Sequence, residues 1–80
     1  MATTSRLILY STGACHLCEQ ATALVLPLLG SEWHLQEVDI SESDELFERY
    51  GLLIPVLRVE DSGEELCWPF TAEAVRDLLD

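Results

Sequence analysis

Short apolar runs alternate with longer amphipathic stretches along the chain. Arg6-Leu-Ile-Leu-Tyr10 is apolar and aromatic over a short span and is closed by Ser11-Thr12-Gly13, the pattern of a buried strand. A helix is predicted from about Cys15 to Leu29. Its apolar residues Leu17, Ala21, Leu24, Val25 and Leu28 recur at spacings of three and four, Ser11 or Thr12 stands where it can cap the incoming turn, and Gly30 supplies the stop. Pro27 falls inside that pattern and removes one backbone donor, which predicts a kink or a frayed last turn. Trp33 to Ile40 follows as a second strand ending in Val38-Asp39-Ile40, and Ser41-Glu-Ser-Asp44 opens a second helix. Glu42, Asp44 and Glu45 lie near the positive end of its dipole. That helix runs to about Tyr50 and ends at Gly51. Leu52 to Val59 is rich in β-forming residues, Glu60-Asp61-Ser62-Gly63 is a turn, and Glu64 to Trp68 is the partner strand of a hairpin. Thr71 caps a last helix, Ala72 to Leu79, whose Ala72, Val75, Leu78 and Leu79 form one stripe.

The resulting order, βαβαββα, predicts an α/β fold. A right-handed βαβ crossover followed by a hairpin and a terminal helix gives a four-stranded mixed sheet with three helices packed on it. Eighty residues suffice for one core and not two, so residues 1–80 are expected to form a single domain. With 49% hydrophobic residues the chain has enough apolar side chains to fill that core, which separates it from disordered sequences.

Charge narrows the range of partners. Fifteen Asp and Glu stand against four Arg and no Lys, a formal net charge of -11. Four dispersed arginines cannot supply the clustered cations that phosphate binding needs, so nucleic acid is excluded as a partner, and an anionic membrane surface is disfavoured for the same reason. The longest apolar run, Ala23 to Leu29, contains Pro27 and falls far short of the roughly 20 residues that span a bilayer. The first ten residues lack the apolar core of a signal peptide, and a cytoplasmic location is expected.

In such a compartment three cysteines do not form a secreted disulfide framework, and the close pair in Cys15-His16-Leu17-Cys18 points to redox or metal chemistry. The metal reading lacks ligands, because beyond the pair there are only Cys67, His16 and His34, with no second CxxC or HxxxH. A c-type haem needs His directly after the second cysteine, where Glu19 stands. The redox reading suits the position. At a helix start, two intervening residues bring the sulfurs within disulfide distance, and the first cysteine meets unpaired amides and the positive end of the dipole. Cys15 is then the nucleophile and Cys18 the resolving thiol, with His16, when protonated, placed to help hold a thiolate. Glu19 and the overall negative field act in the opposite sense.

These residues carry a resemblance. The strand ending Leu9-Tyr10-Ser11, the Cys15-His16-Leu17-Cys18 helix start, Val38-Asp39-Ile40 and Ile54-Pro55-Val56-Leu57 together resemble a glutaredoxin-like protein of the thioredoxin superfamily, of the small bacterial type with a CHLC motif. The resemblance covers nearly the whole chain in element order and implies the thioredoxin/glutaredoxin fold and thiol–disulfide oxidoreductase activity. It also implies that Pro55 is cis and faces the cysteine pair, and that the backbone of Ile54 pairs with an extended substrate. Glutathione is the thiol such proteins usually take, held by a basic residue before the first cysteine and a Gly-Gly-acid sequence leading into the last helix. Here those slots read Thr12-Gly13-Ala14 and Trp68-Pro69-Phe70-Thr71. Both departures, and the acidic surface, count against glutathione. No tightly bound cofactor is expected, and the partner is a protein or small-molecule disulfide, a basic protein best suiting the charge, with the chain acting as a monomer. The rival reading is a thioredoxin-fold adaptor whose pair is a structural or sensing disulfide.

The remaining features have plainer readings. Cys67 is expected in the core between Leu66 and Trp68, and His34 at the surface or half-buried, with no chemical role. Trp33 and Trp68 are expected as hydrophobic anchors, with Trp68 near the rim of the site. Asp39 is read as a strand-end carboxylate serving the next helix in preference to a proton acceptor beneath the cysteines, and Glu42 to Glu48 and Glu60 to Glu65 as solvated faces.

Overall fold

Strand β1 (Ser5–Ser11) is the hub of the fold in the computed structural model, which describes residues 5–80. It pairs in parallel with β2 (Trp33–Asp39) and antiparallel with β3 (Val56–Val59), which pairs antiparallel with β4 (Glu65–Cys67). The sheet order is β2-β1-β3-β4, a four-stranded mixed sheet. Helices α1 (His16–Val25), α2 (Asp44–Tyr50) and α3 (Ala72–Leu79) complete the βαβαββα order expected from the sequence. Of the single domain expected over residues 1–80, the first four lie outside the described residues.

Successive side chains of a strand point to opposite faces, and here both faces are covered. On one face Leu7, Leu9, Leu57 and Val59 pack with Ala21 and Val25 of α1 and Val75 of α3. On the other, Tyr10 and Val56 pack with Ile40 and with Tyr50 of α2, whose ring stacks on that of Tyr10 with centroids 4.3 Å apart. A strand buried on both sides has to read as a continuous apolar run, as Leu7 to Tyr10 does. Trp33 and Trp68 both pack against the first cluster, as anchors should.

Several boundaries differ from the sequence reading for identifiable reasons. Helix α1 stops at Val25 and tightens into a 3-10 turn, Leu26–Leu28, because Pro27 has no N–H to continue the α ladder. The last α-type bond runs from the Leu26 N–H to the Thr22 carbonyl. The Leu52–Val59 segment is strand only from Val56. The amides of Leu53 and Ile54 both turn back to the Tyr50 carbonyl, at 2.8 and 3.0 Å, and the Ile54–Pro55 bond is cis, as is Trp68–Pro69. Ile40 leaves β2 for a short 3-10 turn, Ile40–Glu42. Ser43 and Thr71 cap α2 and α3, their hydroxyls accepting the amides of Leu46 and Ala74. In the hairpin, Gly63 takes φ 77°, a left-handed conformation that suits glycine. No helix among the described residues is long and apolar enough to cross a membrane.

One expected solvated acid is part of the frame. Glu65 lies opposite Arg58 in the β3–β4 ladder and accepts from the Arg58 guanidinium at 2.8 Å and from the Tyr50 hydroxyl at 2.5 Å. Burial works to raise the Glu65 carboxyl. The two hydrogen bonds and the charges of Arg58 and Arg49 outweigh it and hold the group below its ordinary value. For Tyr50, burial first and then the bond to Glu65 and its charge push the phenol up to about 12. A phenol whose folded value exceeds its ordinary 10.0 lends stability that is fully present below that pH and is lost as pH climbs through about 12. Ultraviolet titration of tyrosinate should therefore show a step near 12 that Tyr50→Phe removes. If the wild type has no step above the ordinary tyrosine range, the buried bond to Glu65 does not exist.

Candidate active site around Cys15 and Cys18

The loop leaving β1 delivers Cys15 to the first turn of α1. Neither Ser11 nor Thr12 caps that helix. Cys15 itself is the N-cap, with extended φ and ψ, and its Sγ accepts the Cys18 amide at 3.1 Å. Cysteine is not among the usual capping residues, which is why the capping pattern led to the hydroxyls instead. The same geometry gives the sulfur an orphan amide and the positive end of the helix dipole. Cys15 and Cys18 are joined as a disulfide, with their Cα atoms 5.2 Å apart. The two sulfurs differ in access: Cys15 is half-buried, whereas Cys18 is 2% exposed on the face packed against the sheet.

A cavity of about 350 Å³ adjoins the pair. Ser11, Thr12 and Gly13 wall it from the end of β1, Cys15, Cys18 and Glu19 from the start of α1, and Glu37 and Asp39 from β2. Ser11 is 3% exposed and donates its hydroxyl to Glu37 Oε2 at 2.9 Å. Asp39 Oδ1 accepts from both the amide and the hydroxyl of Ser41, at 2.9 and 2.7 Å, and these bonds hold its carboxyl below the usual value. Asp39 thus serves the following 3-10 turn, as expected, and lines the cavity as well. Glu37 was not singled out from the sequence. The signal was present in the alternation of β2, where Trp33 and Leu35 pack on the core and the next two positions of the same face are Glu37 and Asp39.

The other expected site residues are placed as follows. His16 is 83% exposed in its side chain, with Nδ1 3.7 Å from Glu19 Oε2, and it does not line the cavity. The donor that reaches Cys15 Sγ is the Cys18 amide. Pro55 is cis and buried, one residue beyond the Tyr10–Val56 pair, at the end of the sheet from which the Cys15 loop departs. The Ile54 amide is engaged with Tyr50, so of the two backbone groups expected to meet a substrate the donor is already used within the domain. Neither Ile54 nor Pro55 lines the cavity. Cys67, expected in the core, is exposed and free. Strand β4 is three residues long and lies at the sheet edge, with no further strand beyond it among the described residues. His34 is exposed, as expected. Among the described residues, no three His, Cys, Asp or Glu come together to hold a metal ion.

A family model for the glutaredoxin-like domain (DUF836) matches residues 6–80, a span that includes the disulfide at the start of α1. The chain belongs to this glutaredoxin-like family. Solved structures agree. The X-ray structure of target protein XcR50 from X. campestris is 40% identical, covers 92% of this chain and 95% of its own, and superposes with a TM-score of 0.81. The solution structure of protein Ne2328 from Nitrosomonas europaea is 28% identical, covers 99% and 94% of the two chains, and gives 0.77. A search of the curated proteins finds no match. The glutaredoxin-like domain thus carries its CxxC pair at disulfide distance, an arrangement that fits redox chemistry.

Proposed function

We propose that this glutaredoxin-like domain is a thiol–disulfide oxidoreductase with Cys15 as nucleophile and Cys18 as resolving thiol. The supporting observation is the unequal setting of the two sulfurs. The accessible one sits on the helix N-terminus with an amide hydrogen bond, and the other is buried behind it. In the reduced protein the Cys15 thiolate attacks one sulfur of a substrate disulfide. The Cys15–substrate S–S bond forms as the substrate's own S–S bond breaks, and the departing thiolate takes up a proton. Cys18 then gives up its proton and attacks Cys15 Sγ, restoring the Cys15–Cys18 disulfide and releasing the second substrate thiol. Two electrons pass from the dithiol to the substrate, and an external thiol reductant returns the pair to the dithiol.

Activation rests on the helix terminus, whose Cys18 amide reaches Cys15 Sγ, and His16 stands exposed in the same first turn. An extended substrate chain beside cis-Pro55 meets the carbonyl of Ile54, whose amide is already engaged. Substrates are protein or small-molecule disulfides met by a single chain in the reducing cytoplasm, where such exchange maintains redox balance. Glutathione suits the site poorly, because three carboxylates and no cation line the cavity beside the pair.

The test is exchange between the reduced protein and a neutral small disulfide, in a Cys67→Ser background because Cys67 is an exposed thiol. The expected rate exceeds that of a free cysteine thiol by about tenfold or more. A rate no faster than the free thiol hands the chain to the adaptor reading.

A further inference from the structure

We infer that the open edge of β4, with the groove between it and α3, docks an extended segment of a basic partner protein as a fifth, antiparallel strand. The segment reads apolar residue, any residue, then arginine or lysine.

The edge is unpaired among the described residues, since β4 ends the sheet order β2-β1-β3-β4. Inside the β3–β4 pair, the Val59 amide donates to the Glu64 carbonyl at 2.9 Å and the Trp68 amide to the Pro55 carbonyl at 3.0 Å. Antiparallel pairing alternates, so Glu64, Leu66 and Trp68 turn their backbone groups to β3, and Glu65 and Cys67 turn theirs outward. Two amides and two carbonyls therefore point away from the sheet, at the spacing that a further strand matches. The edge is held in shape from the α2 face, where the Glu65 carboxylate is tied to Arg58 and Tyr50.

Beside that edge lies a groove of about 470 Å³, lined by Glu64, Glu65 and Leu66 on one side and by Ala74, Asp77 and Leu78 of α3 on the other. Leu66, Ala74 and Leu78 pack against the main core and are only half-buried, which leaves the groove an apolar floor. A residue of an added strand placed opposite Leu66 faces α3 and covers that floor. The residue two further on stands on the same face, opposite Glu64. Charge selects its type. Glu64 and Asp77 are exposed and have no ion-pair partner among the described residues. A second copy of this chain, at net charge -11, sets like charges against them, whereas a basic segment is complementary.

The probe is a fluorescein-labelled peptide of seven residues, leucine fourth and arginine sixth among threonines, followed by anisotropy with the reduced protein at low salt. It has no cysteine, so binding is read apart from disulfide exchange. Saturable binding is expected, and glutamate in place of the arginine should weaken it about tenfold. Methylating the third and fifth peptide nitrogens, which face β4, should also weaken it about tenfold, and methylating the fourth and sixth by about twofold or less. At saturation, hydrogen exchange at the Glu65 and Cys67 amides should slow about tenfold or more. Glu64→Lys with Asp77→Lys should reverse the preference, so that the glutamate peptide binds more tightly. Glu45→Lys with Glu48→Lys, at exposed positions of α2, changes the net charge equally and should keep the preference for arginine. Asp77→Lys alone, at an exposed helical position, should cut that preference to about threefold or less even if the double variant folds poorly. Absence of saturable binding overturns the docking site. So does an equal loss from either pair of methyl groups, because the contact is then not through the strand edge. An equal shift with the α2 variants overturns it too, because the preference then belongs to net charge. A dimer in sedimentation that the peptide dissociates makes the occupant a second copy and overturns the basic partner.

Discussion

Replacing Cys15 with serine should reduce disulfide exchange by about 10³-fold or more, whereas replacing Cys18 should leave the first step intact and stop the reaction at a mixed disulfide. The asymmetry follows from the helix start. Cys15 Sγ is the sulfur that accepts the Cys18 amide at 3.1 Å and remains partly accessible, so a substrate disulfide can reach it in line. Cys18 is buried against the sheet and can attack only a sulfur already held at Cys15. Measured in a Cys67→Ser background by stopped exchange and intact-mass analysis, Cys18→Ser should gain the mass of one substrate thiol, and Cys15→Ser should gain none. The reverse pattern, with Cys15→Ser accumulating adduct and Cys18→Ser inert, would exchange the two roles and defeat the argument from exposure. The exposed position of Cys67 makes its removal a necessary control.

Leu57→Ala should lower the stability of the domain by about 3 kcal/mol and its thermal midpoint by about 15 °C. Leu57 has no exposed surface and lies on β3, opposite Leu9 of β1 and Leu66 of β4. The deleted methyl groups would leave a void between strands that cannot close up without disturbing two ladders. For a domain of this size that loss is a large share of the total, which is on the order of 4–12 kcal/mol. Leu52→Ala is the matching control. Leu52 is fully exposed, and the same change there should stay within about 0.5 kcal/mol. Equal effects in calorimetry or denaturant unfolding would mean that β3 does not run through the core as described.

Helices and strands were legible in the chain wherever the signal was local. Thr71 and the stripe of Val75, Leu78 and Leu79 define α3 within a few residues of each other, and the apolar run Leu7 to Tyr10 defines a strand covered on both faces. The departures all involve partners distant in sequence or an unusual local choice. Cys15 displaced the hydroxyls as N-cap because its sulfur happens to meet the Cys18 amide. Glu65 left the solvated face because the β3–β4 register puts it beside Arg58, and α2 brings Tyr50 to its other side. Cys67 came out of the core because β4 is short and lies at an edge.

The acidic count shows the same division. Fifteen carboxylates against four arginines and no lysine lead to the expectation that nucleic acid is not a partner, a reading made from the sum of charge alone. Element order and the position of the cysteine pair at a helix start were equally open to reading, since spacing, propensity and periodicity act over a few residues. Which of those carboxylates face the disulfide was decided only when β2 paired with β1. Parallel register is a long-range choice, set by burying Trp33 and Leu35 beneath α1, and once it is made the pleat carries Glu37 and Asp39 to the same face and to the end of the sheet where Cys15 and Cys18 stand.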